Sequence, residues 1–187
     1  MKIILFIFNT MQLGLVRHFK VITNNKLLLS ADEFSDAMAN YDIAKVEANN
    51  LKITSSDWDV CYCSTLPRAI TTANTIYSGK IIKTNLLVEV PIYPFIKTKL
   101  KMPIWVWYIG ARIAWYKSHK SQLETIEKTK QRISEFYTLI KNSGYNNILI
   151  VSHGYFLRMF YEKMKEERFS GKVDLNIKNG KLYTIKN

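Results

Sequence analysis

The sequence predicts an α/β protein with a mainly parallel sheet. Two observations carry that. Short apolar runs of strand length, at residues 13–16, 57–63, 80–88 and 147–152, alternate with longer stretches at helical spacing. Helix punctuation falls between the runs: Ser30 with Glu33 three residues on, Pro67 where a first turn would start, and Gly79 and Gly144 where helices would close. A chain of 187 residues with only seven Gly and four Pro leaves little room for a linker, so residues 1–187 are read as one domain. Residues 1–10 are an N-terminal extension or an added strand.

Taken in order, the strand at 13–16 delivers Arg17 and His18 to its C-terminal end. A polar turn follows over residues 20–26. Ser30 caps a helix that runs to about Tyr41, and a second helical piece covers 43–49. Residues 57–63 form the second core strand, with Trp58, Val60 and Tyr62 alternating against Asp59, Cys61 and Cys63. Pro67 opens the next helix, which carries Arg68 in its first turn. Residues 80–88 hold a third strand and deliver Glu89. The stretch 90–116 is the least regular, with Pro91, Pro94 and Pro103; its second half is a helix with an aromatic surface. Ser121 caps a long helix over 122–141, with Glu124 at the capping-box position. The run 148–151 is a fully buried fourth strand that ends on His153 and Gly154, and a helix covers 155–168. Residues 172–177 and 181–185 close the chain as an antiparallel hairpin around Asn179-Gly180.

The net charge is +12, from 27 basic and 15 acidic residues. No run of five basic residues occurs, so the charge reads as scatter and not as a nucleic-acid surface. A positive field still attracts a small phosphorylated substrate. Cys61 and Cys63 stand two apart in a strand, a poor geometry for a disulfide, and read as buried free thiols in a reducing cytoplasm. The apolar run near the N-terminus is six residues long with no small-residue cleavage site after it, which argues against a secretory signal. No run approaches the roughly 20 apolar residues of a membrane span. The expectation is a cytoplasmic protein with no stable membrane insertion.

Two of the three histidines, His18 and His153, directly follow predicted buried strands. Parallel strands bring their C-terminal ends together, and that edge of an open sheet is where ligands bind. Arg17 and Arg68 reach the same edge. Guanidinium groups hold phosphate oxygens by paired, charge-assisted hydrogen bonds. Two arginines and one cationic imidazole offset a phosphate dianion, while the other imidazole must stay neutral to attack phosphorus. His119 has no such placement and reads as surface.

These residues resemble a known pattern. Leu15-Val-Arg17-His18, Ser64-Thr-Leu-Pro-Arg68-Ala-Ile-Thr-Thr72-Ala73, Glu89 and Val151-Ser-His153-Gly154 are similar, in order and spacing, to the histidine phosphatase superfamily in its phosphoglycerate-mutase-like branch. The resemblance runs from Met11 onward. It implies a three-layer sandwich of helices on both faces of the sheet. It also implies that His18 becomes phosphohistidine, that Arg17, Arg68 and His153 clamp phosphate with Asn24 and Gly154 among the binding residues, and that Glu89 is the proton donor. Glu89 is supported by Gly154, since the other branch has Asp at that place. The implied enzyme is a metal-independent phosphomonoester hydrolase with no cofactor.

Two features depart from the pattern. The family has Gly after the catalytic His, then Glu or Gln; this chain has Phe19 and Lys20. Gly permits backbone geometries that Phe resists. The segment that usually follows the first motif is not recognisable either. Phe19-Lys20 and the aromatic stretch over 104–116 make a non-catalytic phospho-ligand or interaction module on the same pocket a competing reading, and the missing segment leaves the substrate open. A phosphoglycerate mutase is the rival within the class, ranked lower because the chain is short of the insertions that retain bisphosphoglycerate. The aromatic residues Trp105, Trp107, Tyr108, Trp115 and Tyr116 read as core, as a lid over the pocket, or as a membrane-surface or partner patch that Arg112 and Lys117 would suit. A phosphoprotein substrate and the oligomeric state stay open.

Overall fold

A computed structural model describes residues 10–24 and 26–187. The reading of the N-terminal extension falls, for residues 1–9, outside them. The elements in order are β1 (Gln12–Arg17), β2 (Lys20–Val21), β3 (Leu28–Leu29), α1 (Ala31–Ile43), β4 (Val46–Glu47), β5 (Val60–Ser64), α2 (Pro67–Ile76), β6 (Ile81–Thr84), β7 (Met102–Pro103), α3 (Ile104–Tyr116), α4 (Ile126–Lys141), β8 (Asn147–Ser152), α5 (Gly154–Glu166) and β9 (Leu182–Lys186).

The main sheet has the order β6-β5-β8-β1-β9. Its first four strands are parallel, and β9 runs antiparallel to β1. The period-two geometry of a strand sends neighbouring residues to opposite faces. Leu13, Leu15, Val60, Tyr62, Ile148 and Ile150 face one core, which Ile133 and Phe136 of α4 and Leu157 and Phe160 of α5 complete. Val16, Cys61, Cys63, Leu149 and Val151 face the other, covered by Ala69, Ala73 and Ile76 of α2. Both faces are thus buried, which is why these strands read as continuous apolar runs. The architecture is the expected mixed α/β sandwich. Gly14 belongs to this packing: a Cβ there would lie 2.4 Å from the Trp58 ring.

Ser30 caps α1 with a complete capping box to Glu33, and Pro67 opens α2, as the sequence predicts. Other boundaries differ. There is no helix over 43–49: α1 ends at Ile43, and Val46–Glu47 pairs with Lys20–Val21. The second core strand starts at Val60, after a 3₁₀ turn at Ser55–Asp57. The strand expected over 80–88 stops at Thr84 and gives way to a 3₁₀ turn, Asn85–Leu87, that leads to Glu89. The long helix begins at Ile126 and is capped by Thr125, not by Ser121. The Ser121 hydroxyl is engaged elsewhere, 3.0 Å from His119 Nδ1 and accepting from Gln122 Nε2 at 3.0 Å, while the Gln122 amide pairs with the backbone of Tyr93. The antiparallel C-terminal element is present, but β9 pairs with β1 and with Ser170 rather than with residues 172–177. The outer edge of β1 is a row of backbone groups that needs a ladder, and β9 satisfies it.

Candidate active site

The parallel strands end together, and the predicted residues follow them. In register, Arg17 stands opposite Ser152 and Cys63 opposite Val151. His18 and His153 leave β1 and β8 side by side, with ring centroids 5.1 Å apart. Both are buried, at 1 % and 0 % exposure.

His18 is held by its own backbone neighbour. Its Nδ1–H donates to the Phe19 carbonyl at 2.6 Å, which leaves the lone pair on Nε2. Burial lowers the His18 pKa to about 3; the Phe19 carbonyl acts in the opposite sense, and the charges of Arg68 and Arg17 add to the lowering. Phe19 is itself fixed: its N–H donates to Thr72 Oγ1 at 2.9 Å. Its φ is not positive, so the freedom of a glycine is not used here. The Phe19 ring is 1 % exposed and packs with Val16, Ala69 and Ala73 beneath α2, away from the cleft.

His153 Nε2 lies 2.7 Å from Ser64 Oγ. That oxygen also accepts the Leu66 N–H at 3.2 Å, so the hydroxyl proton is free to go to Nε2. Nδ1 then carries the ring hydrogen, and Nδ1 is buried with no protein partner. Burial, then Arg68, His18 and Arg17, hold His153 well below the ordinary histidine range. The expected cationic imidazole is therefore absent beside two guanidiniums. A phosphate dianion would act in the opposite direction.

A cleft of about 460 Å³ opens over this edge, with Arg17, Arg68, Glu89 and Arg112 in its wall together with Tyr41 and Tyr108. Arg17 Nη1 donates to Ile177 O at 2.9 Å. Gly154 lies against the same guanidinium: a Cβ there would sit 3.0 Å from Arg17 Cζ, so the glycine lets Arg17 lie across the start of α5. Arg68 pairs with Asp42 through Nη1 at 2.8 Å and stacks over the Tyr41 ring. Arg17 Nε, Arg68 Nε and Arg112 Nη1 are buried without a partner.

Glu89 sits at the N-terminus of α5. Its carboxylate accepts the N–H groups of Val90 (2.9 Å), Phe156 (3.0 Å) and Tyr155 (3.3 Å). The loop that carries it is braced from two sides. Arg132 donates to Leu86 O and Val88 O at 2.9 and 2.7 Å and pairs with Glu124, and Arg112 donates to Val90 O at 3.1 Å. Asn24 is not brought to this cleft; it is exposed in a neighbouring recess with Lys26, Glu33 and Asn40, and Tyr41 borders both.

A profile of the histidine phosphatase superfamily (branch 1) matches residues 42–186. The chain belongs to that superfamily. Solved structures agree at the level of fold. The histidine phosphatase fold here is similar to a phosphoglycerate mutase from Bacillus anthracis (16 % identity, TM-score 0.61, 96 % of this chain and 88 % of that one). It is also similar to a phosphoserine phosphatase from Entamoeba histolytica (16 %, 0.55, 93 % and 89 %) and an alpha-ribazole phosphatase from Shigella flexneri (19 %, 0.52, 93 % and 89 %). No curated protein matches the sequence.

Several residues of this candidate site escape sequence reading. Asn179 Nδ2 donates to His18 O at 2.6 Å and reaches Phe19 O at 3.3 Å, so it braces the backbone on which the His18 ring hangs. Its only sequence signal is Asn-Gly, which reads as a turn. Asp42, Arg112 and Arg132 carry no local signal at all.

Proposed function

We propose that this histidine phosphatase superfamily member is a phosphomonoester hydrolase acting through a phosphohistidine on His18, without a metal. One observation supports this most: beside the His18 imidazole, whose Nδ1 is committed to Phe19 O, the buried donors Arg17 Nε, Arg68 Nε and His153 Nδ1 have no partners. Buried donors without partners are costly, and phosphate oxygens would satisfy them.

In the proposed cycle His18 Nε2 attacks phosphorus in line and the P–O ester bond breaks. Arg17 and Arg68 hold the equatorial oxygens, with His153 donating through Nδ1. Glu89 gives its proton to the leaving alkoxide. The Glu89 carboxylate then takes a proton from water, the water oxygen bonds to phosphorus, the P–N bond breaks, and inorganic phosphate leaves with His18 neutral again. Asn24 would assist only with a larger substrate, since it lies in the next recess. Two buried free thiols, Cys61 and Cys63, fit a reducing compartment and hence the cytoplasm. Among the described residues no helix is long and apolar enough to cross a membrane.

The binding-module reading rests on Phe19 and on the aromatic stretch. The Phe19 ring lies in the core, and its carbonyl orients His18, which favours the hydrolase. The test is hydrolysis of an aryl phosphate in the presence of a chelator, by the protein and by His18→Ala. We expect a loss of at least about 10³-fold in His18→Ala, and acid-labile phosphate on His18 after an alkaline quench of the unsubstituted enzyme. Activity that survives the substitution, or that needs a divalent metal, overturns the proposal. Isomerisation of phosphoglycerate with bisphosphoglycerate present would make it a mutase instead.

A further inference from the structure

α3 is apolar on both sides. Trp107, Ala111, Ala114 and Trp115 face inward and are buried. Trp105, Ile109, Ile113 and Tyr116, spaced four, four and three residues apart, form the opposite stripe and are 61, 54, 53 and 68 % exposed. Nothing in the proposed phosphatase cycle uses that stripe. The chain segment that carries it is basic, although Asp32 shares the groove beside it. Between Glu89 and Glu124 the chain has no acidic residue and six basic ones, which is half of the net charge of +12. Lys101 closes one end of α3 and Lys117 the other, and Lys97, Lys99 and Lys120 border the adjoining groove. Lys101 shares Glu33, a contact at 3.3 Å.

We propose that α3 docks the protein on an anionic lipid surface. The stripe would enter the headgroup layer while the lysines reach acidic headgroups, with Trp105 and Tyr116 at the depth that amphipathic aromatics favour. Charge decides between occupants. A second copy docked through the same face would set Lys97, Lys99, Lys117 and Lys120 against their own counterparts, and a nucleic acid has no use for Ile109 and Ile113. An anionic bilayer answers both the apolar stripe and its basic rim. The bound state is peripheral, since α3 has only 13 residues. Tyr108 and Arg112 of the same helix line the active-site cleft, so docking would bring that cleft to the surface of the bilayer.

The protein carries its own reporter. Of its four tryptophans, Trp58, Trp107 and Trp115 are buried and Trp105 is exposed. The full chain is sedimented with phosphatidylcholine vesicles, with and without about one third phosphatidylserine, while tryptophan emission is recorded. We expect binding to the anionic vesicles only, a blue shift of emission, and weakening at high salt. Trp105→Phe should keep binding and lose the shift. The triple variant Trp105→Ser, Ile109→Ser, Ile113→Ser should bind at least about tenfold more weakly with unchanged hydrolysis of a soluble aryl phosphate, and Lys117→Gln about fivefold more weakly. Failure to bind anionic vesicles overturns the proposal, as does equal binding by the triple variant. Dissociation of a solution dimer in that variant, or tighter binding to single-stranded oligonucleotide than to vesicles, would assign the face to those partners instead. The vesicle-binding readouts do not depend on the hydrolase assignment.

Discussion

The charge state of one imidazole links stability to chemistry. In the unfolded chain His18 takes a proton near pH 6.5; in the folded protein it resists until about pH 3, because burial, Arg68 and Arg17 oppose the charge and the Phe19 carbonyl only partly offsets them. Between those values the unfolded state binds the extra proton, so stability is full above pH 6.5 and is lost as pH falls. His153 is lowered in the same direction and adds to the slope. Denaturant titrations should therefore show His18 alone removing about 2 kcal/mol between pH 8 and pH 5. His18→Ala should flatten the curve by that amount, and equal slopes in the two proteins would refute the assignment. Glu89 makes a second prediction. If it protonates the leaving group, Glu89→Gln should slow phosphoryl transfer to His18, read in a single turnover, by about 10²-fold or more on an alkyl phosphate and under tenfold on a nitrophenyl phosphate, whose leaving group needs no proton. Equal losses on both in that transfer step would remove Glu89 from leaving-group protonation and leave it the backbone bonds to Val90, Tyr155 and Phe156 that hold it at the start of α5.

At the scale of elements, the start of α4 separates what a sequence can say from what packing decides. Ser121 and Thr125 are both good N-caps, and Glu124 stands at the capping-box distance from Ser121. The helix starts at Thr125, whose hydroxyl accepts the Lys128 N–H, while the Ser121 hydroxyl is held by His119 and Gln122 and Glu124 pairs with Arg132. Thr125→Ala should then cost about 1 kcal/mol and Ser121→Ala no more than about 0.5 kcal/mol, read from denaturant midpoints at constant m-value. The reverse order would move the cap back. β1, β5 and β8 are legible in the sequence because burial on both faces leaves an unbroken apolar run. His18, Arg68 and His153 are legible because each follows such a strand closely. The tail is not. Asn179-Gly180 carries a local turn signal, while the partners of this segment, β1 and the His18 backbone, lie some 160 residues away. Arg112 and Arg132 are invisible for the same reason: the carbonyls they hold at Leu86, Val88 and Val90 belong to another part of the chain.

Over the whole molecule, positive charge is gathered at two places. Half of the +12 lies between Glu89 and Glu124, and the sheet adds Arg17 and Arg68 at one edge, where both imidazoles are driven neutral. Such an edge is held together against its own repulsion by the rest of the core, and an anion that fills it should stabilise the whole protein. A diffuse field and a built site respond differently. Screening of the diffuse charge depends on ionic strength alone, so chloride and phosphate at equal ionic strength would act alike. A site made of Arg17, Arg68 and the His153 ring requires a tetrahedral anion that accepts several hydrogen bonds. Phosphate or vanadate at about 100 times its dissociation constant should add about 2.7 kcal/mol. For a chain of this size that is a rise of about 5–10 °C in Tm over the chloride control. Arg68→Gln should abolish the difference between the anions while leaving the response to ionic strength intact. A rise that chloride reproduces, or that survives Arg68→Gln, would place the effect in the general charge of the surface and not at the end of the sheet.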